Sequence, residues 1–149
     1  VEPTTADPTA DPTADTTADT TADTTAGSLT VLGATVRHSI DHVEVFPAPA
    51  DVTTVRFTSD ELQSMCPVTQ QPDISRVRIE YVPDRWCIES KSLKLYLWGF
   101  RDRAVFAEAL TAEIAREVMT TAQPHRVTVT LTQRPRGGIE VEAVAQLER

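Results

Sequence analysis

Two cysteines, Cys66 and Cys87, are the strongest nucleophiles the chain offers. Cys66 lies in Ser64-Met65-Cys66-Pro67-Val68-Thr69, after the acidic stretch Thr58-Ser59-Asp60-Glu61, which reads as a turn. The segment predicts a short helical turn ended by Pro67. A cysteine there is either a buried hydrophobe or a nucleophile whose thiolate is favoured by nearby cations or oriented N–H groups. Asp73 follows in Gln70-Gln71-Pro72-Asp73. An acid there could serve a reacting group or simply make a turn. Cys87, between Trp86 and Ile88 at a strand end, reads as a packing residue.

The densest polar signal is Ile88-Glu89-Ser90-Lys91-Ser92-Leu93-Lys94-Leu95-Tyr96. Read plainly it is a helix start, with Ser90 as N-cap and Lys91 and Lys94 in solvent. Lysines in a first turn oppose the helix dipole, which favours anions there. Two lysines, two hydroxyls and free N–H groups therefore suit a phosphate. Arg134 and Arg136, beside Gly137-Gly138, offer a second anion-binding element. Glu89 and Glu108 would be two carboxylates near one pocket. A carboxylate can accept paired hydrogen bonds from a ring N–H and an exocyclic amine, as a guanine-like edge requires.

A metal site is not expected. His38 and His42 are four residues apart in a strand-like pattern, which separates them by about 13–14 Å on one face. The chain has no Cys-x-x-Cys and no His-Glu-x-x-His, and a catalytic zinc needs three protein ligands.

The elements that must position these residues read as β, β, α, α, β, β. Val36, Ile40, Val43, Val45 and Phe46 suggest a strand over 36–46, interrupted by Pro47 and Pro49. Val55 and Phe57 mark a short extended piece. Arg76 to Tyr81 alternates cleanly, with Val77, Ile79 and Tyr81 on one face. Leu93, Tyr96, Leu97 and Phe100 define one face of a helix. A second helix is expected from Val105 to Thr120, stopped by Gln123-Pro124. Val127, Val129 and Leu131 form a half-buried strand. Arg136-Gly137-Gly138 turns the chain into a short last strand at Ile139, Val141 and Ala143. Strands flanking a helix pair imply α+β, with an antiparallel four-stranded sheet carrying two helices on one face. Its other face and edges would need cover, which self-association supplies.

The chain has 149 residues, enough for one domain, and a formal net charge of −8. Residues 1–26 repeat Thr-Ala-Asp-Pro and then Thr-Ala-Asp-Thr, with six acids and no base. Alanine is the only recurring apolar side chain there, too little to offset about 1–2 kcal/mol of backbone entropy per ordered residue. Residues 1–26 are therefore read as a disordered acidic tail, and 27–149 as the folding domain. The domain is nearly neutral and lacks the basic patch that nucleic-acid binding needs. No apolar run reaches the roughly 18–20 residues of a membrane span. The N-terminus lacks the features of a signal peptide. Two cysteines make no disulfide scaffold, so a reducing cytoplasm is the expected compartment.

Several strings occur in order with short spacings: Cys66-Pro67-Val68-Thr69-Gln70-Gln71-Pro72-Asp73, Val82-Pro83-Asp84, Glu89-Ser90-Lys91-Ser92-Leu93-Lys94-Leu95-Tyr96, Phe100-Arg101 and Pro135-Arg136-Gly137-Gly138-Ile139. Together, over roughly Phe57 to Val141, they resemble the short, single-module NADPH-dependent 7-cyano-7-deazaguanine reductases, the nitrile reductases of queuosine biosynthesis, a tRNA modification. The resemblance implies a tunnelling fold, with ββααββ subunits packed into rings, two stacked pentamers being one arrangement, and active sites between subunits. It implies a deazapurine substrate and NADPH as cofactor. Cys66 matches the nucleophile that forms a covalent thioimide, and Asp73 the acid that protonates the nitrile nitrogen. Ile88, Glu89, Ser90, Ala107 and Glu108 match substrate-binding positions. Ser90, Lys91, Arg136 and Gly137 match cofactor contacts. The chemistry is coherent: a nitrile is a poor hydride acceptor, and a thioimide is an activated one.

Two positions depart from the family pattern. Phe106-Ala107-Glu108 stands where the family has Phe-His-Glu, so the carboxylate is kept and the imidazole is missing. Gln70 stands where the family usually has Gly. Two other readings stay open beside the reductase. One is a relative that passes the thioimide to an amine, giving an amidine. The other is a protein that binds a deazapurine without turnover.

Overall fold

The computed structural model describes residues 29–149. The acidic repeat at 1–26 lies outside the described residues. The element order is β1 (Val45–Pro47), β2 (Val55–Met65), β3 (Pro72–Val82), β4 (Trp86–Ile88), α1 (Ser90–Trp98), α2 (Ala107–Ala122), β5 (Arg126–Arg136) and β6 (Ile139–Glu148). The main sheet is antiparallel in the order β2-β3-β5-β6, and β1 pairs with β4 in a small separate ribbon. This is the expected α+β pattern with the β1–β4 ribbon added.

One face of the sheet forms the core. Val77, Ile79 and Tyr81 of β3 and Val127, Val129 and Leu131 of β5 are buried there. Leu110, Ile114 and Val118 of α2 pack against them, and Leu93 and Tyr96 of α1 complete the cluster. Each such aliphatic side chain contributes roughly 1.5–3 kcal/mol on burial. The opposite face is mostly polar, with Ile74 and Val144 exposed on it. Glu80 on it binds Arg56 and Arg78 at 2.6 and 2.8 Å.

Several local expectations are corrected. The strand expected over 36–46 is confined to β1, because residues 36–44 make no ladder. The acidic stretch Thr58–Glu61 and the following Ser64-Met65 are not turns. They belong to β2, an 11-residue strand. Pro72 and Asp73 begin β3 rather than forming a turn. β6 continues through Glu148 instead of ending early.

Two irregularities explain the difficulty and shape the site. Between Ser59 and Leu62, β2 holds one more residue than its partner, since Ser59 faces Val77 and Leu62 faces Ser75. This bulge flips the alternation, so Leu62 and Ser64 turn inward. Between Gln133 and Arg136, β5 holds a second extra residue opposite Val141–Ile139. Pro135 falls in that gap, where a missing N–H costs no ladder bond.

The β2–β3 loop contains Gln70 at φ +54°. That backbone favours glycine, and the non-glycine cost is roughly 1–2 kcal/mol. Gln70→Gly should therefore leave the protein at least as stable, with a gain up to about 1 kcal/mol after the added chain freedom is subtracted. A lowered thermal midpoint would show that the Gln70 side chain, which donates to the Pro67 carbonyl, matters more than the backbone.

Candidate active site

Cys66 opens the β2–β3 loop. Its N–H donates to the Gln71 carbonyl at 2.9 Å, and its carbonyl accepts from Gln70 N–H at 3.0 Å. The loop is thereby closed over the sulfur. The Thr69 hydroxyl, the N–H groups of Thr69 and Val68, and the Arg136 guanidinium all stabilise the thiolate and lower its pKa to about 7. The residue is only 7% exposed. A thiol in this setting is substantially ionised at neutral pH and has the character of a nucleophile.

Asp73 is also 7% exposed. Its carboxylate faces Arg136, with Asp73 Oδ1 3.2 Å from Arg136 Nη1. The same nitrogen reaches Thr69 Oγ1 and Gln71 Oε1, each at 3.3 Å. Cys66, Asp73 and Arg136 thus converge at the end of the sheet where the β2–β3 and β5–β6 loops meet. Gly137 and Gly138 make the adjoining turn with φ of +63° and +82°, which only glycine adopts freely.

The start of α2 reaches the same end. Met65 N–H donates to the Arg103 carbonyl at 2.9 Å, and Val105 N–H donates to the Met65 carbonyl at 3.1 Å. Phe106-Ala107-Glu108 therefore begins a few residues from Cys66. Glu108 is exposed there. Ala107 is buried and belongs to the hydrophobic core.

The Ile88–Lys91 string joins the end of β4 to the start of α1. Ile88 is buried in the core, and its N–H donates to Tyr81 Oη at 2.8 Å. Glu89, not Ser90, is the N-cap of α1. Its carboxylate accepts from Lys91 N–H and Ser92 N–H at 2.8 and 2.7 Å. The first-turn N–H groups expected to be free for phosphate are thus engaged, because a carboxylate complements the positive helix end. Ser90 is the first helical residue. Lys91 Nζ donates to the Val31 carbonyl at 2.6 Å and also to the Ala34 carbonyl. Glu44 holds the same segment, accepting from Thr30 N–H at 2.8 Å and from Val31 N–H at 3.3 Å.

Beside α1 lies an open groove of about 860 Å³. Leu62, Val77, Ile79, Leu93 and Leu97 supply apolar walls, and Ser90, Lys94, Arg101 and Arg134 add polar and cationic groups. Sequence reasoning missed Thr69 and Arg101 as site residues. The signal for Thr69 was a hydroxyl three residues after Cys66 in a turn, a position suited to local hydrogen bonding. Cys87 is buried beside the Tyr81 hydroxyl, in keeping with a packing role. Both cysteines are free. Among the described residues no group of three His, Cys, Asp or Glu is placed to hold a metal ion. No described helix is long and apolar enough to cross a membrane.

Comparison with known proteins decides the family. A family model described as "QueF-like protein" matches residues 72–149, just over half of the chain. The chain belongs to the QueF-like protein family. A relative from Thermomicrobium roseum, named NADPH-dependent 7-cyano-7-deazaguanine reductase, is 39% identical over 103 residues, 69% of this chain and 80% of the relative. A relative of the same name from Methylorubrum extorquens (strain PA1) is 46% identical over 91 residues, 61% of this chain. This chain matches 60% of the length of that relative. Among solved structures, the apo form of the archaeosine synthase QueF-Like superposes with a TM-score of 0.61 at 27% identity, covering 64% of this chain and 94% of that one. The QueF-like match begins after Cys66, so the reading of that cysteine rests on its motif and geometry.

Proposed function

We propose that this chain reduces the nitrile of 7-cyano-7-deazaguanine to the aminomethyl group with NADPH, through a covalent thioimide on Cys66, in queuosine biosynthesis. The observation that carries the reading is the convergence of a thiolate-stabilised Cys66 with a buried Asp73 through Arg136. The relatives' names supply the substrate and cofactor. Cys66 Sγ attacks the nitrile carbon and forms a C–S bond. One π pair of the nitrile moves to nitrogen, and Asp73 accepts the proton given up by the Cys66 thiol and relays it to that nitrogen. The loop N–H groups hold the thiolate before attack, and partial burial limits water at the adduct. Glu108, exposed at the start of α2, is the carboxylate free to hold the purine edge.

NADPH fits the groove beside α1 by the chemistry of its wall. Ser90, Lys94, Arg101 and Arg134 suit its phosphates, and the apolar side chains suit its rings. When bound it would supply one hydride, so a full nitrile-to-amine reduction takes two NADPH molecules in succession. Lys91 fits less well, because its ammonium is held by Val31 and Ala34. Gly137 would let a ligand approach the backbone near Arg136.

The proposed assembly is a homo-oligomeric ring with sites shared between copies. Its support is the exposure of Trp98, Phe106, Ile139 and Val144. β2 and β6 are sheet edges, where another copy can pair. Sedimentation should give a multiple of 16.4 kDa. An active monomer would contradict shared sites. The reducing cytoplasm is the compartment that keeps Cys66 a thiol.

Likeness to an archaeosine synthase favours a second reading, in which the thioimide is passed to an amine. One experiment tests both: incubation with the nitrile, with and without NADPH, followed by absorbance and intact mass. NADPH oxidation with amine product supports the reductase. An adduct that consumes no NADPH but yields an amidine on adding ammonia supports the second reading, and no adduct at all sinks both.

A further inference from the structure

We infer that Arg136 is a positioning residue for Cys66 and Asp73, beyond the cofactor contact that the family resemblance implies. The inference deepens the proposed nitrile chemistry and rests on it for the role of Asp73. The bulge in β5 sets where Arg136 points. Val127, Val129 and Leu131 alternate inward along this strand, and regular alternation would place residue 136 on the opposite, polar face. The extra residue between Gln133 and Arg136 reverses that alternation just before the turn. Arg136 is thereby aimed at the face that carries Asp73. The bulge in β2 does the same for the approach to Cys66. Two bulges at one end of the sheet thus re-aim both sides of a single cluster.

The contacts agree with this placement. A single guanidinium nitrogen lies 3.2 Å from Asp73 Oδ1 and 3.3 Å from Thr69 Oγ1 and Gln71 Oε1. It ties together the loop that starts at Cys66 and the strand that starts at Pro72. Its charge also favours the Cys66 thiolate. Among the described residues, the charged groups at Cys66 are Arg136 from β5 and, through it, Asp73 from β3. Arg103, whose carbonyl binds Met65, turns its guanidinium to Glu113 instead, at 2.7 Å. Removing Arg136 leaves a buried carboxylate without its partner and a thiolate without its cation.

The test compares wild type, R136Q and R136K. Iodoacetamide alkylation at Cys66 is followed against pH by peptide mass, without cofactor, and NADP⁺ affinity is measured by calorimetry. The midpoint is the readout, because a thiolate of higher pKa is intrinsically more nucleophilic and partly masks a rate change. Because R136Q leaves the buried Asp73 carboxylate without its partner, thermal melting of each variant is measured alongside, and the alkylation midpoint is read only from folded protein. R136Q should raise the midpoint above the wild-type value of about 7, and R136K should fall between the two. Adduct formation with the nitrile, read without NADPH, should slow in R136Q and recover in part in R136K. A midpoint unmoved in R136Q, with only NADP⁺ affinity lost, overturns the inference, as does an equal shift in both variants. If wild type forms no nitrile adduct, the reductase reading fails while the alkylation profile still decides the role of Arg136.

Discussion

Cys66→Ala should abolish covalent capture of the nitrile and all reduction, while Cys87→Ala keeps both. The difference follows from what surrounds each sulfur. At Cys66 a hydroxyl, two N–H groups and a guanidinium stabilise negative charge. Cys87 is buried in β4, with its neighbour Ile88 bound to Tyr81. Losing its sulfur leaves a small void and a stability cost on the order of 1 kcal/mol, with the chemistry untouched. Intact mass after incubation with the nitrile separates the two outcomes. An adduct that maps to Cys87 would overturn the assignment.

Ala107→His should raise turnover. In wild type the thioimide should form and then accumulate, because the imidazole found in the family motif is absent. The position lies at the start of α2, in the segment that follows the pairing with Met65. A positioned acid or base is typically worth 10²–10⁴-fold, and that range bounds the gain. It should fall on kcat more than on KM, since the group acts on charge developing in the transition state. The structure adds a cost. Ala107 is 8% exposed and packs in the core, so an imidazole must displace neighbours at about 1–3 kcal/mol. Thermal melting measured alongside separates a poor catalyst from a poorly folded one. A well-folded variant with no gain, beside a wild type that already turns over rapidly, would mean that another group delivers the proton.

The sequence by itself determined β3, the two helices and β5 in order, while the short β4 between β3 and α1 escaped it. Val77, Ile79 and Tyr81, and Val127, Val129 and Leu131, alternate without interruption, so period two was visible. The face of α2 was visible at period 3.6 for the same reason. The motif strings likewise determined the family, because Cys66, Asp73 and the Glu89–Tyr96 run lie at fixed spacings. β2 escaped that reading because its bulge breaks the alternation between Ser59 and Leu62. A strand whose inward residues change parity looks like two short pieces joined by an acidic turn. Gln70 differs from the expected Gly, and only the backbone shows why glycine suits the site, since φ there is +54°.

Only the tertiary structure decided which of the candidate residues meet. Arg136 reads in the sequence as an anion-binding residue beside a turn, and a one-residue bulge aims it at Asp73. Glu89 reads as a free carboxylate, and the helix start that follows it takes both oxygens as a cap. Lys91 reads as a cofactor contact, and a segment about 60 residues earlier in the chain closes on its ammonium. Spacing along the chain reports local periodicity. It carries no information about which loops share an end of the sheet, because that depends on strand order, register and bulges, which long-range pairing alone sets.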